Sequence, residues 1–440
     1  MKNKIDPLKH LNATSGWYMP AFFHMCLETE KPISNIPLQH MDKDVQSVFF
    51  HEYIHFLQDI STYAGLNNIY CISEYVKLVA TRYATQNPFY VPVRLENNDY
   101  NVRLNDTLNR ETAGGHCRHL KFEIYDTFIS DFYNEDLKSQ GIESVPIVWL
   151  LTSEGDLEFG RREIMESMAY ILQRKCTNGT PVTYEYPYYA AEKTAQFLYP
   201  GNFSQDLDNI LALCDIALLT SNPGNVFVCC VNKIKDGEWV IDKPEDIYDC
   251  FYSSNTKVGT CISTTSSHFV NLSTVVKQSL KDYICQPQIA TYLHPWIDLV
   301  IDAGQEMRIK DRYFFLNLAR GGDYLSNAQF QNLLKHVGSP IIENLNSDFC
   351  RFPSQPDFGD YFQYLMAIET LYNIFKTGCF QCQMKSFCEH SKTINPNVIV
   401  DAQCDTSPWN KISRINENCP VAFMFLHRKL AINSPTLRKS

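Results

Sequence analysis

Residues Phe49 to Leu57 read FFHEYIHFL. His51 and His55 stand four apart, and Glu52 directly follows the first. On an α-helix, residues four apart lie one turn above each other on the same face. Two imidazoles so placed can both reach one cation at about 2.0–2.1 Å. Glu52 is turned away from them by about 100°. It is poorly placed as a ligand and well placed to act on a water beside the ion. Two anchors, an open position and a carboxylate base are the requirements of metal-assisted hydrolysis. The flanks Val48, Phe49, Tyr53, Ile54, Phe56 and Leu57 are uncharged, so the helix can run through a core. The competing reading is an ordinary buried helix that carries two satisfied histidines.

This uncharged-flanked H-E-x-x-H helix resembles that of the zincin metallopeptidases, over about ten residues of the 440. The resemblance implies zinc on His51 and His55, with Glu52 as general base. A third protein ligand is still needed. The sequence after His55, FLQDISTYAGL, lacks the downstream glycine and third histidine of metzincins, so a gluzincin-like arrangement is expected, with a carboxylate from another helix. Glu166, in GRREIMESMAYILQ, is the preferred candidate. Its E-x-x-A pattern is similar to the third-ligand helix of several zincins, and Ala169 one turn on leaves room for another group to approach. Glu74, the alternative third ligand, has a spacing that resembles thermolysin-like families but shares its side of the helix with Lys77 and Thr81. Glu192 repeats E-x-x-A. Glu163 reads as an outer partner of the site or a surface charge. Tyr184, Tyr186, Tyr188 and Tyr189, or His116 and His119, are candidates for an oxyanion donor, and the competing reading for each is an ordinary packing or surface role. A strand within residues 118–151 is a candidate for binding substrate by main-chain addition.

The sixteen cysteines fall into two groups. Most are scattered in apolar settings such as FVCCV and read as small buried hydrophobes. Five crowd the end of the chain, with C-x2-C-x5-C at Cys379, Cys382 and Cys388, then Cys404 and Cys419. The start, MKNKIDPLKHLNATSGW, has no apolar stretch after its lysines and does not read as a secretory signal. Without one, clustered cysteines suggest a metal more than disulfides. Cys379, Cys382, Cys388 and Cys419 are the expected ligands, with Cys404 as the alternative and His390 as a possible substitute. Zinc is the first expectation there. An iron–sulfur cluster is the second, since the trio resembles the terminal trio of iron–sulfur nucleases and of auxiliary clusters in radical enzymes.

A net charge of -10, with no basic run, argues against a nucleic-acid partner. No window approaches the roughly 18 apolar residues of a membrane span, so a cytoplasmic protein without membrane contact is expected. Apolar periodicity predicts helices over 43–62 and 67–83, with Gly65 as the stop between them. Others are predicted around 160–175, in DLDNILALCDIALL with NPG ending it, and in YFQYLMAIETLYNIFKTG. Strands are predicted in RHLKFEIYD and at Val145 to Leu151. The fold class expected is α+β and predominantly helical. It divides into a zincin-like catalytic domain at 1–200, a helical domain at 201–350, and a helix with a cysteine-ligated metal module at 351–440. The function expected is a zinc metalloprotease acting on a protein or peptide substrate. The alternatives are a non-catalytic metal-binding regulatory protein and a zinc hydrolase of a non-peptide amide.

Overall fold

A computed structural model describes residues 11–13, 16–34, 36–83, 86, 88–115, 117–177, 182, 184–253, 266–284, 287–353, 359–392, 395–413, 419–427 and 435–438. Among these residues the chain is α+β and mainly helical, at about 59% helix.

The HEYIH helix, α1, spans Lys43–Ser61, and every residue from Gln46 to Ser61 is buried. It therefore runs through the core and is covered on all sides, as its uncharged flanks require. The next helix, α2, spans Tyr63–Leu78. The break between them lies at Thr62, where the side-chain oxygen accepts from Gly65 N at 3.0 Å and caps α2. Gly65 is thus inside the second helix and is not the stop. A Cβ there would stand 2.4 Å from Asp59 Cα and 2.5 Å from Gln58 O, so only glycine lets the two helices join this closely.

Helix α3 spans Arg161–Cys176 and packs along α1. Helix α4 spans Leu207–Leu218. The NPG motif does more than end it: Asn222 caps a further helix, Pro223–Lys235, with Pro223 in its first turn. Helices α5, Pro287–Lys310, and α6, Gly359–Thr377, complete the body that surrounds α1. Among the described residues no helix is long and apolar enough to cross a membrane.

Three sheets edge this body. The first is built from β1 (Leu11–Ala13), β2 (Gly16–Met19), β3 (His24–Leu27), β8 (Ile341–Asn344) and β9 (Phe349–Cys350), in that spatial order. The second pairs β4 (Phe89–Val91) with β10 (Pro435–Leu437) in parallel. The third is an antiparallel meander of β5 (Ile124–Phe132), β6 (Val145–Thr152) and β7 (Gly155–Phe159). Strand β5 starts at Ile124, so the segment predicted at RHLKFEIYD overlaps it only in its last three residues, and Leu120 is exposed. One buried apolar cluster takes in residues from Tyr18 to Phe425. The segments 1–200, 201–350 and 351–440 contribute to it together, and β3 pairs with β8 across more than 300 residues.

Candidate metal centre

Helices α1 and α3 bring three donor atoms together. His51 Nε2 stands 3.2 Å from Glu166 Oε2, His55 Nε2 stands 3.5 Å from the same oxygen, and the two Nε2 atoms are 3.1 Å apart. Donors on a tetrahedral zinc at 2.0–2.1 Å stand about 3.4 Å apart. The triangle therefore has the size that one such ion requires. Among the described residues, this is the one group of three potential ligands whose donor atoms all lie within 4.8 Å.

The far nitrogens are also accounted for. Gln173 Nε2 donates to Ser47 O at 3.2 Å and to Ser47 Oγ at 2.9 Å. Its carbonyl oxygen is thereby turned to His51 Nδ1, 3.1 Å away. Gln58 repeats the device, donating to Met165 O at 3.0 Å and facing His55 Nδ1 at 2.8 Å. Each amide oxygen can only accept, so each Nδ1 carries the hydrogen and each Nε2 is left with a lone pair. Outer amides of this kind orient the ligands of a metal site.

Charge agrees with this. Burial pushes His51 down from its ordinary pKa, and nearby His55 adds to that. Burial raises the Glu166 carboxyl, but the two imidazoles outweigh it and hold it well below the usual carboxylate range. Two imidazole nitrogens and a carboxylate oxygen thus converge within 3.5 Å of one another. The second oxygen of Glu166 has no hydrogen-bond donor among the described residues. Such a set fits a divalent cation, and zinc in particular, because it offers two nitrogens and one oxygen.

The other candidates lie elsewhere. Glu74 pairs with Lys77 and accepts from Ser279 Oγ at 2.7 Å. Glu192 pairs with Arg174. Glu163 is neither at the surface nor among the partners of the two histidines. It is buried and accepts from Gly160 N at 2.9 Å, closing the first turn of α3. Burial lifts its carboxyl to about 7.

Of the tyrosines, Tyr188 borders the centre, with its ring 5.9 Å from that of His51. Burial, Glu166 and Glu52 together raise its hydroxyl well above the ordinary value. Tyr186 donates to Glu158 O at 2.6 Å, Tyr189 shares a hydrogen bond with Tyr170, and Arg118 stacks on the Tyr184 ring. His119 pairs with Glu154, and His116 lies outside the described residues. The sequence offers no signal for Gln58, Gln173 or Gly16. A Cβ on Gly16, in β2, would stand 2.7 Å from Val48 Cγ1 and 3.2 Å from Glu52 Oε1, so this strand lies directly over the carboxylate. His51, Glu52, His55 and Glu166 are each 0% exposed.

Comparison with protein-family models, with curated proteins and with solved structures finds no match for this chain.

Proposed function

We propose that the chain is a zinc-dependent metallopeptidase of zincin type. His51, His55 and Glu166 would hold the ion. The observation that carries this reading is the convergence of two imidazole lone pairs and one carboxylate, each imidazole fixed from behind by a glutamine amide. A zinc ion held by these three residues would supply Lewis-acid polarisation of the scissile carbonyl. Glu52, one residue after His51 and turned off the ligand face, takes a proton from water as the water oxygen bonds to the carbonyl carbon. It then delivers that proton to the amide nitrogen as the C–N bond breaks. Tyr188, whose hydroxyl stays protonated in its buried setting, donates to the developing oxyanion. Strand β5 is an edge of its sheet and exposes Tyr125, Phe128 and Ile129. It offers a peptide both a main-chain edge and apolar contacts.

A second reading is favoured by one observation, the complete burial of the four residues. Structural metal sites are closed, whereas catalytic ones keep a position open to substrate. On that reading the metal stabilises the fold and nothing is cut. On the peptidase reading, β2 at Gly16 or the ring of Tyr188 must move to admit substrate.

Glu52→Gln separates the two. The variant keeps the shape of the side chain, removes its charge and leaves all three donors in place. The expected result is unchanged metal content with peptide hydrolysis reduced by at least about 100-fold, as loss of a general base requires. Cleavage of a mixed peptide library is the assay. Equal cleavage by both proteins, or none by the metal-loaded wild type, overturns the peptidase reading.

A further inference from the structure

The terminal cysteines form a second constellation. Cys382, Cys388, Cys404 and Cys419 line one cavity of about 10 Å³, together with Lys411 and Ile399. Cys382 N donates to Cys404 O at 2.8 Å, which joins the two chain segments. Cys419 Sγ accepts from Ala422 N at 3.4 Å at the start of the helix Pro420–His427. Cys379 is not among the lining residues. It is exposed, just beyond the end of α6. The trio Cys379, Cys382 and Cys388 expected from spacing is therefore broken, and Cys404 stands in the place of Cys379.

Two features mark this as more than a cluster of buried thiols. The four cysteines come from separate stretches, Cys382 in the loop after α6, Cys388 in the helix Lys385–Lys392, Cys404 in Gln403–Thr406 and Cys419 just before Pro420–His427, yet all line one cavity. Lys411 is only 2% exposed, yet it carries its ammonium to this cavity, where it meets Ile399 O, Asp401 and the Cys404 thiol. Four thiolates around a divalent ion carry a net negative charge, and a buried ammonium beside them offsets it.

We propose that Cys382, Cys388, Cys404 and Cys419 bind a thiophilic metal centre, with Lys411 as its charge partner and Cys379 excluded. The shared chemistry is four thiolates on soft metal. Two sources meet it. A lone zinc draws its sulfurs to about 3.8 Å from one another at a bond length of about 2.3 Å, closer than they stand here, where no three of the four sulfurs lie within 4.8 Å of one another. An iron–sulfur cluster holds its cysteines farther apart, because each binds a different iron.

The test uses the full chain carrying His55→Ala, so that the α1 site does not contribute, purified without oxygen. Metal and acid-labile sulfide are measured in this parent and with Cys404→Ser or Cys379→Ser added. The expected result is one metal centre per chain in the parent and in Cys379→Ser, and its loss in Cys404→Ser. One zinc without sulfide identifies the first source; iron with sulfide and a broad absorption near 400 nm identifies the second. Alkylation mapping of the parent guards against a misfolded variant. Cys379 should react at once, and the other four only after a chelator strips the metal. A parent free of zinc and iron, or equal loss in the two serine variants, overturns the proposal. So does protection of the four that no chelator relieves.

Discussion

Gln173 and Gln58 are uncharged and lie on different helices, yet they decide which nitrogen of each histidine faces Glu166. Each is held by a main-chain carbonyl behind it and can offer the imidazole only an oxygen. Replacing Gln173 by Leu keeps the volume and removes that oxygen. Metal affinity should then fall about 10–100-fold with the helices intact, as loss of an outer partner does elsewhere. Competition with a chromophoric chelator measures it, and unchanged affinity would remove Gln173 from the account. These glutamines show why part of the site was hidden in the sequence. His51, Glu52 and His55 announce themselves because their spacing alone puts them on defined faces of one helix. An amide's role depends on which carbonyl packs behind it, and only tertiary structure sets that. The same holds for Tyr188, one of four tyrosines in six residues, and for the choice among Glu166, Glu74 and Glu192.

At the level of elements, α1 is held by groups from distant helices. Arg308, on α5, donates to Ser61 O at 2.7 Å at the end of α1 and pairs with Asp215 on α4. Tyr248 donates to Asp215 as well, at 2.8 Å. All of this is buried, so removing one partner strands a charge. Arg308→Met should cost about 3–5 kcal/mol, seen as a lower urea midpoint. A second tie is pH-dependent. His24, on β3, lies 3.5 Å from Glu343 on β8 and 3.2 Å from Glu369 on α6. Burial opposes its protonation, but the two carboxylates outweigh burial and raise it from 6.5 to about 10. A raised histidine stabilises the fold fully below the unfolded value of 6.5 and loses that contribution as pH rises through 10. Wild type should therefore lose stability between pH 7 and 10.5 relative to His24→Gln. Parallel profiles in urea titrations would contradict it. The helices here were legible from their periodicity. The starts of the helices after Thr62 and Asn222 were not, because capping by a side-chain oxygen overrode the glycine and proline signals.

Across the whole molecule, α1 belongs to a core built from distant parts of the chain. Strand β3 pairs with β8, β4 with β10, and one apolar cluster joins them. The division into 1–200, 201–350 and 351–440 followed composition and the position of the cysteines, which say nothing about long-range strand pairing. A fragment ending at residue 200 would lack β8, α5 and α6 and expose the apolar faces they cover. Expressed alone, it should be aggregated or lack cooperative unfolding by circular dichroism. A soluble, metal-binding fragment would show that the first segment folds by itself. The central claim is narrower: one cation held between α1 and α3 by His51, His55 and Glu166. Elemental analysis of the wild type beside Glu166→Gln and Glu74→Gln addresses it most directly. The account predicts loss of one equivalent of metal in Glu166→Gln and none in Glu74→Gln. Equal metal in all three proteins would contradict it and leave HEYIH as a buried helix that carries two hydrogen-bonded histidines.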